Sequence, residues 1–163
     1  MKKIVFVLVS SILVLSACGQ KNAKEDIEEH EEHIAHLANG DLQETTASAD
    51  VLPAFLDNQS EDMQLVYQAA AKAHDVLKWM PCYCGCGDSA GHLNNFNCFV
   101  HEIKENGEVV WDDHGTRCAA CVETAIASIS MVQEGKSLEE IRKAIDEAYK
   151  EGYAAPTKTP MPS

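Results

Sequence analysis

Six cysteines between positions 82 and 121 are the residues of this chain best suited to chemistry. Three of them fall at alternate positions in the run Pro81-Cys82-Tyr83-Cys84-Gly85-Cys86, and the other three lie further along the chain. Thiolate is a ligand that soft and borderline metals prefer, chiefly Cu(I) and Zn. The pattern therefore predicts a site for Cu(I) or Zn whose candidate ligands are Cys82, Cys84, Cys86, Cys98, Cys118 and Cys121.

Two histidines extend this set of candidate metal ligands. His114 stands four residues before Cys118, and His92 follows Gly91 shortly after the cysteine run. Imidazole binds the same metals as thiolate, so we include His114 first and His92 second. A structural or turn-forming role is expected for the remaining polar residues of interest: His74, His101, Asp112 and Asp113.

Two other functions can use the same thiols. An even number of cysteines in an exported domain is typical of a disulfide framework, which would make the domain a stapled binding module. Alternatively, Cys118 and Cys121 form a C-x-x-C pair at a predicted helix start, which suits a thiol–disulfide oxidoreductase. The strand–helix–strand pattern expected before such a pair is missing from the sequence. We therefore favour a metal-binding protein over an enzyme.

A helix is predicted immediately before the cysteine run. Apolar residues recur at intervals of three and four from Met63 to Leu77, and Ser60 is a suitable N-cap. Pro81 cannot lie inside a helix, so this helix should end near Trp79. The end of the helix would deliver the first three thiols into a glycine-rich loop.

Two more helices are predicted after the loop. Thr116 is the candidate cap of the first, Gly135 closes it, and Cys118 and Cys121 occupy its first turns. The positive end of a helix dipole is expected to favour the thiolate form there. Ser137-Leu138-Glu139-Glu140 is a capping-box pattern that opens the other helix.

A β-hairpin is the one strand element expected, because Asn106-Gly107 separates two apolar runs. The predicted fold is therefore mainly α: a single small helical domain with a short β-hairpin and a Cys-rich loop, spanning residues 52–153. A flexible acidic tether (residues 18–51) should precede this domain, and a disordered tail (residues 154–163) should follow it.

The predicted tether contains histidines at every third position, namely His30, His33 and His36, interspersed with glutamates. On a helix such a tract can chelate a metal. A solvated, charge-rich linker accounts for the same composition, and we favour that interpretation.

Residues 1–17 have the features of a signal peptide. Lys2 and Lys3 precede an apolar run that is shorter than the roughly 20 residues of a membrane span. The run ends in Leu15-Ser16-Ala17-Cys18, which resembles the lipobox of bacterial lipoproteins. This resemblance implies acylation of the Cys18 sulfur, cleavage before Cys18 and acylation of the new amine, with palmitate as an expected acyl group. We expect a lipid anchor that holds the protein on the extracytoplasmic face of the cell membrane.

The charge of the chain excludes one class of partner. The full sequence carries 13 basic and 26 acidic residues, a net charge of −13. Without Lys2 and Lys3 the count is 11 against 26, a net charge of −15. Such a chain is not expected to bind nucleic acid, and its contact with an anionic membrane must depend on the lipid. The sequence specifies no protein partner.

The cysteine motifs also carry a resemblance to a known family. The hexapeptide PCYCGC, together with Asn97-Cys98-Phe99 and the run from His114 to Cys121, resembles the PCYCGC-motif lipoprotein family of Gram-positive bacteria. The resemblance extends approximately from Leu52 to Tyr149. It implies a lipoprotein outside the cytoplasm and no particular reaction, so the chemistry must be argued from the residues themselves.

Overall fold

A four-stranded antiparallel sheet lies at the centre of the structure, a computed structural model that describes residues 33–162. The strands are β1 (Ile34–His36), β2 (Leu42–Thr46), β3 (Val100–Ile103) and β4 (Val109–Asp112). Their order across the sheet is β1-β2-β4-β3. The predicted signal peptide and Cys18 lie outside the described residues.

The predicted hairpin forms one side of this sheet. Val100 pairs with Trp111 and Ile103 pairs with Val109, with a register shift between Val100 and Glu102. Gly107 has a φ of 91°, which glycine adopts without strain, and this allows the chain to reverse.

The prediction of a mainly α fold is wrong, because the described chain is a mixed α/β structure with a four-stranded sheet. Strands β1 and β2 come from the segment that was expected to be a flexible acidic tether, so that part of the chain belongs to the fold. The segment is polar, yet Gln43 and Glu44 of β2 are buried. Their polar groups find partners only in the folded chain: Gln43 Nε2 donates to Asp112 Oδ2 at 3.0 Å, and Glu44 accepts from two backbone amides.

Five α-helices are present within residues 33–162: α1 (Glu61–Lys72), α2 (His74–Leu77), α3 (Gly87–Ala90), α4 (Ala119–Gln133) and α5 (Leu138–Ala148). Three 3-10 helices accompany them: Ala54–Leu56, Asn95–Cys98 and Asp113–Arg117. Among these described residues, no helix has the length and apolarity needed to cross a membrane.

The helix caps agree with the sequence at two of three sites. Ser60 Oγ accepts from the Met63 amide, and Ser137 forms the full capping box with Glu140. Helix α4 differs, because Cys118 rather than Thr116 is its N-cap. Thr116 belongs to the preceding 3-10 helix, where its hydroxyl donates to Asp113 O at 2.7 Å. The predicted first helix is also divided, since α1 ends at Lys72 and α2 begins at His74.

The main core lies between the sheet, α1 and α4. Trp111 is fully buried, and its indole Nε1 donates to Thr46 Oγ1 at 2.7 Å. Tyr67 packs edge-on against Phe99 and donates its hydroxyl proton to Asp112 O at 2.9 Å. These contacts attach α1 and β2 to the strand that leads into the predicted ligand His114.

A second apolar cluster attaches α5 to the cysteine loop. It consists of Met80, Tyr83, Ile141, Ile145 and Tyr149. Tyr83 and Tyr149 stack with ring centroids 4.9 Å apart, and the Tyr83 hydroxyl hydrogen-bonds to Asp146. The loop is therefore packed against α5.

The chain after α5 returns across the cysteine loop, although the sequence predicts a disordered tail there. We call residues 154–160 the C-terminal segment. The amide of Ala154 donates to Tyr83 O and that of Thr157 to Cys82 O, both at 3.1 Å. The approach is so close that a Cβ on Gly87 would lie 2.3 Å from Thr157 Cγ2. Glycine at position 87 thus permits the C-terminal segment to cover the loop.

Candidate metal centre

The cysteine loop is positioned from both ends. Helix α2 ends at Leu77, and a short turn brings the chain to Met80, whose amide donates to Leu77 O at 3.1 Å. At Gly85 the backbone takes a φ of 80°, a value that favours glycine, and the chain curls back. The Cys82 amide donates to Thr157 Oγ1 at 2.9 Å, which fixes the start of the loop to the C-terminal segment.

The other three cysteines are delivered by two helical segments. Cys98 ends the 3-10 helix that follows Asn94, and Cys118 and Cys121 lie at the start of α4. Asn95 joins the two segments, because its fully buried side-chain amide donates to Cys121 O at 3.1 Å.

These segments bring the sulfurs of the six predicted cysteine ligands together. We call this group the thiol cluster: Cys82, Cys84, Cys86, Cys98, Cys118 and Cys121. Cys82 Sγ lies 2.9 Å from Cys84 Sγ, 3.7 Å from Cys121 Sγ and 3.8 Å from Cys98 Sγ. Cys121 Sγ lies 3.1 Å from Cys98 Sγ. All six cysteines of the described chain are free thiols.

The thiol cluster has a buried side and a partly exposed side. We call Cys82, Cys98 and Cys121 the inner thiols, because all three are buried. We call Cys84, Cys86 and Cys118 the outer thiols, because each is partly exposed. Cys84 connects the two sides, since its sulfur groups closely both with Cys82 and Cys121 and with Cys86 and His114.

Neighbouring thiols decide which sulfurs ionise most readily. Hydrogen bonds from Cys118 and Cys121 lower the pKa of Cys84 to about 4. A hydrogen bond from Cys121, followed by one from Cys82, lowers the pKa of Cys98 to about 6. Hydrogen bonds with Cys118 first, and then with the other neighbouring thiols, raise the pKa of Cys121, whereas the helix dipole was expected to favour its thiolate form. Burial raises the pKa of Cys86 to about 11.

Both predicted histidines lie beside the thiol cluster, each held by a carboxylate. His114 Nδ1 is 3.1 Å from Asp41 Oδ1, and His92 Nε2 is 3.7 Å from Asp112 Oδ2. The two imidazole rings meet edge-to-face with centroids 4.7 Å apart. A hydrogen bond with Cys84, outweighing burial and supported by Asp41, raises the pKa of His114 to about 9. His92 Nδ1 is buried and has no hydrogen-bond partner within residues 33–162, so this nitrogen is available as a ligand.

The two carboxylates behind the histidines were missed by sequence reasoning. Asp112 was expected at the surface, but it is fully buried and accepts from the His114 amide and from Gln43. Its position two residues before His114 is a local feature that could have indicated that Asp112 supports this histidine. Asp41 belongs to the segment predicted to be a tether, and no local pattern connects it with a histidine 73 positions later.

Comparison with known proteins gives one match. The family described as a protein of unknown function with PCYCGC motif matches residues 5–162. No curated protein and no solved structure shows a significant match to the chain.

Proposed function

The chain belongs to the family of proteins with a PCYCGC motif, whose function is unknown, and from its site we propose that it binds a soft metal ion, Cu(I) or Zn, through thiolates. The observation that carries the proposal is the convergence of the three inner thiols with Cys84. The separations from Cys82 Sγ to the other three sulfurs and from Cys98 Sγ to Cys121 Sγ range from 2.9 to 3.8 Å. We call this group of four sulfurs the inner site.

The spacing of the inner site suits a metal better than it suits isolated thiols. With Zn–S bonds of about 2.3 Å, ligand sulfurs around tetrahedral zinc lie about 3.8 Å apart. Two pairs of the inner site already have this separation, Cys82–Cys98 and Cys82–Cys121. To reach about 3.8 Å, the pairs Cys82–Cys84 and Cys98–Cys121 would have to open by less than 1 Å. Cys84 Sγ lies within 4.8 Å of Cys121 Sγ, so Cys84 is the sulfur that would adjust its position most. Trigonal Cu(I) can use three of the same sulfurs.

Burial favours the same ligand chemistry. Thiolate ions are costly to bury unless a cation or hydrogen bonds compensate them, and the inner thiols hydrogen-bond mainly to each other. A bound metal cation would replace the shared protons and neutralise the sulfurs. Loading would therefore release protons and make the cluster more stable.

Metal titration of the full-length chain tests this proposal. The Cys18→Ser background keeps the six clustered cysteines and removes the seventh. Reduced protein is titrated anaerobically with Cu(I) or Zn against a chromophoric chelator. We expect uptake by this parent, and an affinity at least about 100-fold lower for Cys98→Ser, since losing even a residue that supports a ligand costs about 10–100-fold.

Controls separate a lost ligand from a lost fold. Cys98→Ala avoids burying a hydroxyl, and the circular dichroism of each metal-free variant reports whether it folds. A parent that takes up neither metal above the level of a variant with all six cysteines replaced by serine would refute the proposal.

A disulfide-stapled module is the second candidate, favoured by the short separations of Cys82–Cys84 and Cys98–Cys121. Three separate staples would need the cysteines in three separate pairs, whereas Cys82 has three sulfur neighbours within 3.8 Å. Free-thiol counting on protein purified anaerobically distinguishes the two functions. A metal site leaves six reactive thiols after the metal is removed, and a stapled module leaves none without reductant.

We also propose that the protein is anchored to the cell membrane, on its extracytoplasmic face, by lipid on Cys18. The support is the sequence Leu15-Ser16-Ala17-Cys18 after a short apolar run. Cys18→Ala should leave the chain unlipidated and poorly processed. Recovery of the same mature, membrane-bound form from this variant would contradict the anchor.

A further inference from the structure

The outer side of the thiol cluster has a second group of ligand atoms. Cys84, Cys86 and His114 each offer one such atom, and these atoms lie within 4.8 Å of one another. We propose that these three residues form a second metal site, the outer site, which holds Cu(I) or Zn with two sulfurs and one nitrogen and shares Cys84 with the inner site. This inference rests on the proposed function, because it divides the same cluster into two sites.

Asp41 orients His114 for this role. His114 Nδ1 lies 3.1 and 3.3 Å from the two carboxylate oxygens of Asp41, which leaves Nε2 free to bind a metal. Asp41 is itself only 4% exposed and accepts hydrogen bonds from Asn39 and Arg117. A carboxylate behind a histidine is the usual arrangement at metal sites, since it sets the tautomer and the ring orientation. Asp41 is thus a positioning residue.

The alternative grouping of Asp41, His92 and His114 is less suitable. Their ligand atoms also lie within 4.8 Å of one another. Binding a metal through Asp41, however, would compete with His114, Arg117 and Asn39 for the same two oxygens. The outer site requires no such loss, because His114 keeps its partner.

Cys84 is suited to bridge the two sites. Its sulfur is 2.9 Å from Cys82 Sγ and accepts from the Cys86 amide at 3.3 Å. A thiolate sulfur has several lone pairs and can bind two soft metals at once.

The two sites differ in their access to solvent. Apart from the shared Cys84, the inner site consists of buried thiols, whereas Cys86 and His114 are partly exposed. A chelator in solution should therefore reach a metal in the outer site first. The outer metal would exchange rapidly with external ligands, and the inner metal would be held longer.

Metal counting on the full-length Cys18→Ser chain tests the inference. With Cu(I) or with Zn, we expect two equivalents per chain by elemental analysis, of which a chelator removes one quickly and one slowly. Cys86→Ser and His114→Ala should each lose the quickly released equivalent. With Zn, which needs all four sulfurs of the inner site, Cys98→Ala should lose the slowly released one. His101→Ala is the matched control, since this exposed strand histidine belongs to no ligand group of the described chain, and it should keep both.

Asp41→Asn tests the positioning role separately. This change should keep two equivalents but weaken the outer one by about 10–100-fold, as loss of a carboxylate behind a ligand does. X-ray absorption should show imidazole bound to the metal in the parent and a weaker imidazole signal in the variant. An unchanged signal and affinity would mean that Asp41 serves only the fold.

The outcomes separate the outer site from the proposed function. If Cys86→Ser and His114→Ala bind as much metal as the parent while Cys98→Ala binds less, the outer site is wrong and the inner site stands. If the parent binds one equivalent, the outer site is likewise overturned. If the folded parent binds none, the proposed function itself fails.

Discussion

At the scale of single residues, buried carboxylates hold the surroundings of the thiol cluster in place. Asp112 is enclosed beneath the histidines, where burial raises the pKa of its carboxyl group. The imidazole of His92, 3.7 Å away, and the hydrogen bond from Gln43 outweigh that effect and hold the pKa below its ordinary value. Glu44 is likewise buried, and its two oxygens accept from the amides of Ala54 and Phe55 at 2.8 and 3.3 Å. Each acid thus holds a segment of backbone in place.

Strand β2 was not predicted from the sequence, and its residue Glu44 provides a test of how much this strand contributes to stability. Glu44→Ala should lower the free energy of unfolding by about 2 kcal/mol, because two amides lose a charged acceptor. Chemical denaturation of the metal-free chain measures the change. Glu102→Ala is the matched control, since Glu102 is an exposed glutamate on β3, and its effect should stay within about 0.5 kcal/mol. Equal small effects would mean that β2 contributes little to stability.

Local sequence rules succeeded for residues whose partners are close in the chain. Ser60 and Ser137 cap their helices through amides three positions away. Asn106-Gly107 forms the turn between two strands that pair with each other directly. The same rules failed for Glu44 and Asp41. An acidic residue in a polar stretch of sequence is expected to be exposed to solvent, and most of the groups that donate hydrogen bonds to these two residues lie too far along the chain to be recognised locally. Burial of such residues depends on the completed fold.

At the scale of elements, the C-terminal segment and α5 close the cysteine loop together. Arg142 of α5 is largely buried, and its Nη1 donates to Trp79 O, Thr159 Oγ1 and Pro160 O at 2.8, 2.9 and 3.1 Å. One side chain therefore connects the approach to the loop with the segment that covers it. A cavity of about 690 Å³ remains between the loop and this segment, bordered by Cys82 and His92.

Replacing Arg142 should loosen this cover. Arg142→Ala removes the three hydrogen bonds that Nη1 donates and the one that Nε donates to Asp146. A loss of about 1.4 kcal/mol in local stability corresponds to tenfold more opening. We expect a thiol reagent to label Cys82 about tenfold faster in the metal-free variant. Mass spectrometry after partial labelling identifies the modified cysteine.

Lys143→Ala is the control for this measurement, because the neighbouring Lys143 is exposed and pairs only with Glu139 among the described residues. Its labelling rate should match that of the unmodified chain. If Arg142→Ala also labels at the parent rate, the C-terminal segment does not protect the loop.

The sequence predicted the elements that carry thiols better than the elements that surround them. Helix α4 and the loop after Pro81 follow from periodicity and from the restraints of proline and glycine. The C-terminal segment has no periodicity, and its proline-rich composition is typical of a disordered tail. It is ordered by backbone hydrogen bonds to Cys82 and Tyr83, which are contacts that composition does not encode.

For the whole molecule, metal binding and folding should be coupled. The proposed ligands come from the loop after α2, the segment before β3 and the start of α4, so a bound metal would join three separate parts of the chain. A ligand present at 1,000 times its dissociation constant stabilises the folded state by about 4 kcal/mol.

Thermal unfolding with and without metal measures this coupling. For a domain of this size, about 4 kcal/mol corresponds to a rise in Tm of roughly 10–20 °C. A stronger chelator should reverse the rise, and Cys98→Ala should show little of it. Equal Tm values for the loaded and metal-free parent would show that the centre forms independently of the fold's stability.

The order of strands in the sheet has a consequence for the time course of folding. β3 and β4 are joined by a short turn and can pair within microseconds, whereas β2 must find β4 across a long loop whose closure is slow. The thiols also meet late, since Cys82 and Cys121 are 39 positions apart. The C-terminal segment covers them later still, because Thr157 is 75 positions from its partner Cys82. During this interval each sulfur is a separate nucleophile on an open chain. An oxidant that joins two of them before the cluster forms would trap a disulfide that the folded structure lacks, so the yield of correctly folded protein depends on whether folding is faster than oxidation.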